Sequence, residues 1–300
     1  MPNANIQTKI LITGGKGQLG QCIKTVLENT KPSLSAIWVD ADEMDISSKT
    51  SVESFFKKHP DISHCINAAA YTAVDKAEEE EDLAYKVNVL GVENLVEFCQ
   101  KLDIQLIHIS TDFVFGGKNH KAYKEDEQIF PLNIYGKTKS DGEEVVLDNL
   151  PSGIVVRTSW LYSQFGKNFV KTMIRLGKEK GNLGVVADQI GTPTYGEDLA
   201  NFLLKIVEKT IDKAHKLGGV YHFSNEGVAS WYDFAHAIFD IYGISVQLRP
   251  LKTQEYPTPA QRPHFSVLDK SKAKETFGIE IRHWRDALTD CIKKLKNLEE

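Results

Sequence analysis

The sequence predicts an α/β fold, a doubly wound parallel sheet of Rossmann type with a smaller C-terminal substrate lobe. Three observations carry that expectation. Short apolar runs rich in β-branched residues alternate with helical patterns through the first half of the chain. The first such run ends in a glycine triplet that opens a helix. The regular alternation weakens after about residue 158.

The predicted strands cover residues 9–13, 34–39, 62–69, 104–109 and 153–157. They are nearly continuous in apolar character, which suits a parallel sheet covered on both faces. The predicted helices between them cover 18–29, 48–59, 81–101 and 135–147. Val52, Phe55 and Phe56 mark the buried stripe of the second, and Leu83, Val87, Leu90, Leu95 and Phe98 that of the third. Further helices are expected over 169–178, 197–207, 231–242 and 284–298, and four of the ten prolines, from Pro250 to Pro263, mark an irregular connection. Residues 1–158 are read as the dinucleotide-binding domain carrying the Tyr/Lys helix. Residues 159–300 are read as the substrate lobe, free to interleave with it.

Composition excludes several classes. There are 36 Lys and Arg against 41 Asp and Glu, a net charge of −5 that speaks against a general nucleic-acid binder. Hydrophobic residues make up 41% of the chain, so disorder is not its main state. No run of about 18 apolar residues exists to span a membrane. Residues 1–9 are polar and too short for a signal peptide. Cys22, Cys65, Cys99 and Cys291 show no paired spacing, so neither a disulfide framework nor structural zinc is expected, and a cytoplasmic home is.

Gly14, Gly17 and Gly20 form GxxGxxG between the first strand and first helix. The first permits a tight turn, the second lets a diphosphate approach the backbone, and the third lets helix pack on strand. Gln18 and Leu19, in the first helical turn, would offer free N–H groups to the anion. Asp40 lies 20 residues past Gly20, where a carboxylate accepts from ribose hydroxyls and repels a 2′-phosphate. NADH is therefore expected to serve at least as well as NADPH. Asp45 and Ile46 would flank the adenine.

Tyr135 and Lys139 spell YxxxK, one helical turn apart on one face. An ammonium beside the phenol favours the phenolate, so Lys139 is expected to lower the pKa of Tyr135. A drop of about three units would take roughly 4 kcal/mol. Thr111, at the end of the fourth strand, would face the same cleft and polarise a carbonyl oxygen.

Glycine triplet, Asn67–Ala68–Ala69, Ser110–Thr111–Asp112 and YxxxK, in this order, resemble the extended short-chain dehydrogenase/reductases. Longer words narrow the match: NAAAYTAVDKAE from Asn67, STDFVFG from Ser110, RTSWLY from Arg157, NFVKTM from Asn168 and DQIGTPT from Asp188. Together they resemble the dTDP-4-dehydrorhamnose reductase family over roughly residues 9–290. The resemblance implies hydride transfer from NADH or NADPH to C4 of a dTDP-4-keto-6-deoxy sugar. It makes Tyr135 the proton donor, Lys139 its tuning partner and Thr111 a stabiliser of the oxygen. Ala70, Tyr71 and Thr72 would line the cofactor path, and Asp112 and Trp160 would contact the sugar with Thr111. Arg262 would meet the nucleotide diphosphate through its planar fork. Asn168 and Lys171 are further substrate-side candidates, and Asn88 would back Lys139 through water. Some relatives bind magnesium through glutamates near a dimer contact. One such position is Cys22 here, so no metal is expected, and a homodimer stays open.

Two other readings stand beside this one. Epimerases and dehydratases of other nucleotide sugars also use YxxxK, but a dehydratase wants glutamate after the aspartate, and Phe113 follows Asp112. A non-catalytic nucleotide-binding subunit tends to lose part of the catalytic set, which is complete here. His108, inside a strand, reads as a satisfied core residue.

Overall fold

The computed structural model describes residues 8–30, 34–212 and 217–299; the polar start of the chain, residues 1–7, lies outside them. A six-stranded parallel sheet forms its centre. Its strands are β1 (Thr8–Thr13), β2 (Leu34–Val39), β3 (His64–Asn67), β4 (Gln105–Thr111), β5 (Ile154–Thr158) and β6 (Gly219–His222). The order across the sheet is β6-β5-β4-β3-β1-β2. The chain thus runs outward from β1 in both directions, and ligands of such sheets sit where the order reverses, at the strands' carboxyl ends.

Helices cover both faces. On one side lie α1 (Gln18–Thr30) and, later in the chain, α6 (Gly196–Thr210). On the other lie α2 (Lys49–Lys58), α3 (Gly91–Lys101) and α4 (Ile134–Asn149). Ile10 and Ile12 of β1 point to the first core, and Leu11 between them to the second, as strand alternation requires. A smaller apolar cluster joins α5 (Phe169–Glu179), α7 (Trp231–Tyr242) and α8 (Trp284–Glu299) through Met173, Phe234, Trp284 and Leu288. Ser230 and Asp233 form a reciprocal capping box at the start of α7, and Gly243, at φ +85°, ends it.

Two expectations are corrected. The third strand is four residues rather than 62–69, because the chain leaves the ladder after Asn67 and turns over the strand ends. The expected helix 81–101 is broken by a π-helical stretch, Lys86–Leu90, between Glu81–Tyr85 and α3. That wide turn carries the buried Asn88, whose amide reaches Thr138 on α4 at 3.1 Å. Strand β6 was not foreseen; it pairs with β5 from Gly219↔Ile154 to His222↔Arg157.

Candidate active site

Thr13, Asp40, Ala68, Thr111 and Thr158, all at or just past strand ends, line one cavity of about 840 Å³. It is large enough for a sizeable ligand.

The glycine turn forms one wall. Gly14 sits at φ +67°, a conformation that favours glycine, and a Cβ there would press on the Ala68 and Ala69 backbone at 3.0 Å. At Gly20 a Cβ would lie 2.6 Å from the Gly15 carbonyl oxygen, so the third glycine is what lets α1 close onto the turn. Gly20 therefore packs behind the wall, whereas Gly14, Gly17, Gln18 and Leu19 face the cavity. The first amides of α1 have no partner within the helix and open towards that space. A diphosphate fits this cradle, since Gly14 and Gly17 carry no side chain to bar its approach to the turn's backbone.

Asp40, Asp45 and Ile46 form the adjoining wall with Val39 and Met44. The Asp40 carboxylate accepts from the Lys16 amide at 2.9 Å, which ties β2 to the glycine turn. Ala70 and Thr72 also line the cavity. Tyr71 is absent from that wall: its backbone is held by the Asn88 side chain at 2.9 and 3.1 Å, and its hydroxyl donates to Glu80 at 2.5 Å.

Tyr135 and Lys139 project from α4 into the same space as Thr111 and Asp112. The helix is aimed by Asn133, whose side chain accepts from the Gly136 amide at 2.7 Å. Thr111 donates to Asp112 Oδ1 at 3.2 Å and accepts from the Phe113 amide at 3.2 Å. Lys139 Nζ donates to the Ile109 carbonyl at 2.7 Å.

The expected lowering of the tyrosine is overturned. Burial pushes Tyr135 up to about 12, the Asp112 charge adds to this, and the Thr111 hydroxyl only partly opposes it. Lys139 is itself pushed down to about 8 by burial, with Glu143 opposing. Its nitrogen meets the Ile109 carbonyl and His108 Nε2, and the groups that shift the phenol are burial, Thr111 and Asp112. Tyr135 thus stays a neutral phenol at neutral pH, the form that can give up a proton. Burial also raises Asp112 to about 7, with the Ser266 and Thr111 hydroxyls opposing, and its Oδ2 makes no hydrogen bond.

The far end of the cavity is aromatic. Trp160 holds φ +45° and stacks on Trp231, with centroids 3.6 Å apart and planes 7° from parallel. Both rings line the cavity; Trp231 went unremarked in the sequence because only tertiary packing brings it to Trp160. Arg262 reaches the rim with its fork closed on Asp75, at 3.0 and 2.8 Å. Asn168 caps α5 and bonds Gln18 at 2.7 Å, and Lys171 reaches the Gln164 carbonyl at 3.4 Å, so both brace the cavity from outside its wall. Asn88 bonds Tyr71 and Thr138. Cys22 is fully buried beneath Gly196.

Known proteins match this chain along nearly its whole length. The family model for the RmlD substrate binding domain matches residues 8–297. A dTDP-4-dehydrorhamnose reductase of Aggregatibacter actinomycetemcomitans is 44% identical, covering 93% of this chain and 97% of that protein. The crystal structure of a dTDP-4-dehydrorhamnose reductase of Clostridium acetobutylicum is 42% identical, with a TM-score of 0.89 over 96% of this chain and 100% of the other. The corresponding enzyme of Bacillus anthracis, solved in complex with NADP, is 37% identical with a TM-score of 0.90, covering 96% and 99%. With this coverage and identity, the chain belongs to the dTDP-4-dehydrorhamnose reductase family.

Proposed function

We propose that this protein reduces the C4 keto group of dTDP-4-dehydro-L-rhamnose to dTDP-L-rhamnose with NADH or NADPH. The observation that carries the reading is the convergence of Tyr135, Lys139 and Thr111 on the cavity that the glycine turn opens. When bound, the reduced nicotinamide supplies the hydride. Gly14, Gly17, Gln18 and Leu19 hold its diphosphate, Asp40 its adenosine ribose, and Ala70 and Thr72 line its path.

The chain's own groups handle the oxygen. Thr111 donates a hydrogen bond to the carbonyl and steadies the charge that develops there. Tyr135, kept protonated by burial, gives its proton to that oxygen. Lys139 holds the nicotinamide ribose and balances the charge the phenol leaves behind. Asp112 orients the sugar through its free Oδ2. The Trp160–Trp231 pair offers an apolar wall to the 6-deoxy methyl group. Arg262 serves the substrate diphosphate only by sharing or leaving its Asp75 pairing. Among the described residues no helix is long and apolar enough to cross a membrane. Four unbridged cysteines support a reducing, cytoplasmic setting.

Incubation with reduced cofactor and the 4-keto sugar, generated in situ by an epimerase, tests the reading. NMR of the product should give dTDP-L-rhamnose. Recovery of unreduced sugar from folded, cofactor-bound protein would reject it.

A further inference from the structure

Four buried polar side chains cross the sheet beneath the cavity and join Lys139 to the glycine turn. Lys139 Nζ lies 3.4 Å from His108 Nε2. His108 Nδ1 lies 3.0 Å from the Asn67 side-chain amide. Asn67 in turn meets the Thr13 hydroxyl at 2.6 Å, and that hydroxyl accepts from the Ala69 amide at 3.2 Å. The three strand residues are direct neighbours in the ladder, Thr13↔Asn67 on β1 and β3 and Asn67↔His108 on β3 and β4. None of the four side chains is more than 2% exposed.

Donors and acceptors in such a chain must alternate. Burial and the Lys139 charge hold His108 well below its ordinary pKa, so its ring is neutral, with one N–H and one lone pair. Only two arrangements then satisfy every group. In one, Lys139 is an ammonium and donates to Nε2. Nδ1–H then donates to the Asn67 oxygen, and the Asn67 NH₂ donates to Thr13, leaving the Thr13 hydroxyl proton free for the cavity it lines. In the other, Thr13 donates to the Asn67 oxygen, Asn67 donates to Nδ1, and Nε2–H points at Lys139. That arrangement is satisfied only by a neutral amine.

We infer that Asn67 and His108 form a two-way relay, in which the charge on Lys139 sets the His108 tautomer and, through the Asn67 amide, the direction of the Thr13 hydroxyl. Its consequence for turnover rests on the reductase reading above: a charged lysine frees Thr13 as a donor at the diphosphate end. The relay itself belongs to the protein alone. The ionisable groups facing Lys139 are His108 from β4, Glu143 one turn on along α4, and Tyr135 one turn back. His108 is thus a positioning residue.

Nitrogen-15 NMR of the histidine rings between about pH 6 and pH 10 tests it, a window spanning the depressed lysine. The His108 resonances are identified by their loss in His108→Leu. The expected result is an Nδ1–H tautomer at low pH and an Nε2–H tautomer at high pH, with a midpoint near 8. Lys139→Met should hold one tautomer throughout. His108→Leu, lacking the acceptor for the ammonium, should move the lysine midpoint of kcat/KM down by about one pH unit. If no histidine of the unaltered protein changes tautomer across the range, the relay is overturned, whether or not the variants fold. A switch that persists in Lys139→Met overturns it too. Neither NMR result depends on turnover, so failure of the sugar assay sinks only the reductase reading.

Discussion

Arg157 clasps Glu143 through two nitrogens, Nε and Nη2, with Nη2 2.6 Å from Oε2 and both side chains sealed from water. The pair fixes α4, the helix that bears Tyr135 and Lys139, to β5 of the sheet. Ser110 donates to the same carboxylate from β4. Arg157→Met leaves a buried carboxylate without its cation and should cost about 3–5 kcal/mol in urea unfolding. Adding Glu143→Met should recover much of that loss, since an apolar pair leaves no orphaned charge.

Asp112 makes stability depend on pH in a predictable direction. Its carboxyl titrates near 7 in the fold against an ordinary value of 3.8, so between those values the native state binds the extra proton. Stability contributed at low pH is therefore lost as pH rises from about 4 to about 7. Asp112→Asn removes that loss. Thermal melts should show the variant gaining on the parent as pH goes from 4 to 8; a constant difference would show Asp112 to be ionised throughout.

Gly20→Ala should weaken reduced-cofactor binding and the fold together. Its methyl group would be driven into the Gly14 and Gly15 carbonyls, which are backbone and cannot step aside. Overpacking of this kind costs about 1–3 kcal/mol. Gly181→Ala is the control, because nothing lies within 4 Å of its added carbon.

Asp40→Ala should raise the NADPH-to-NADH ratio of kcat/KM, since it removes a carboxylate from the β2 end of the cavity. An unchanged ratio takes Asp40 out of cofactor choice.

Much of this was legible in local sequence. Strands β1, β2, β4 and β5 carry apolar runs long enough to read, and the long helices carry their stripes at 3.6-residue spacing. The glycine triplet and YxxxK are likewise local, but Tyr71 turns away from the cavity to Glu80, and Trp231 lines it with no local signal. What stayed hidden depends on distant partners. Gly219–His222 is short and joins the sheet only through pairing with β5. Arg262 looked free until Asp75 closed its fork. The Tyr135 shift went the wrong way because spacing shows the nearby lysine but not the burial that outweighs it. His108 read as core, which it is, yet its ring nitrogens face Lys139 and Asn67.

Loss of reduced-nicotinamide absorbance with the 4-keto sugar, compared between the parent and Tyr135→Phe, tests the central claim most directly. The phenol as proton donor requires kcat to fall by roughly 10²–10⁴-fold while the dissociation constant of the cofactor stays put. Full turnover in Tyr135→Phe would contradict it.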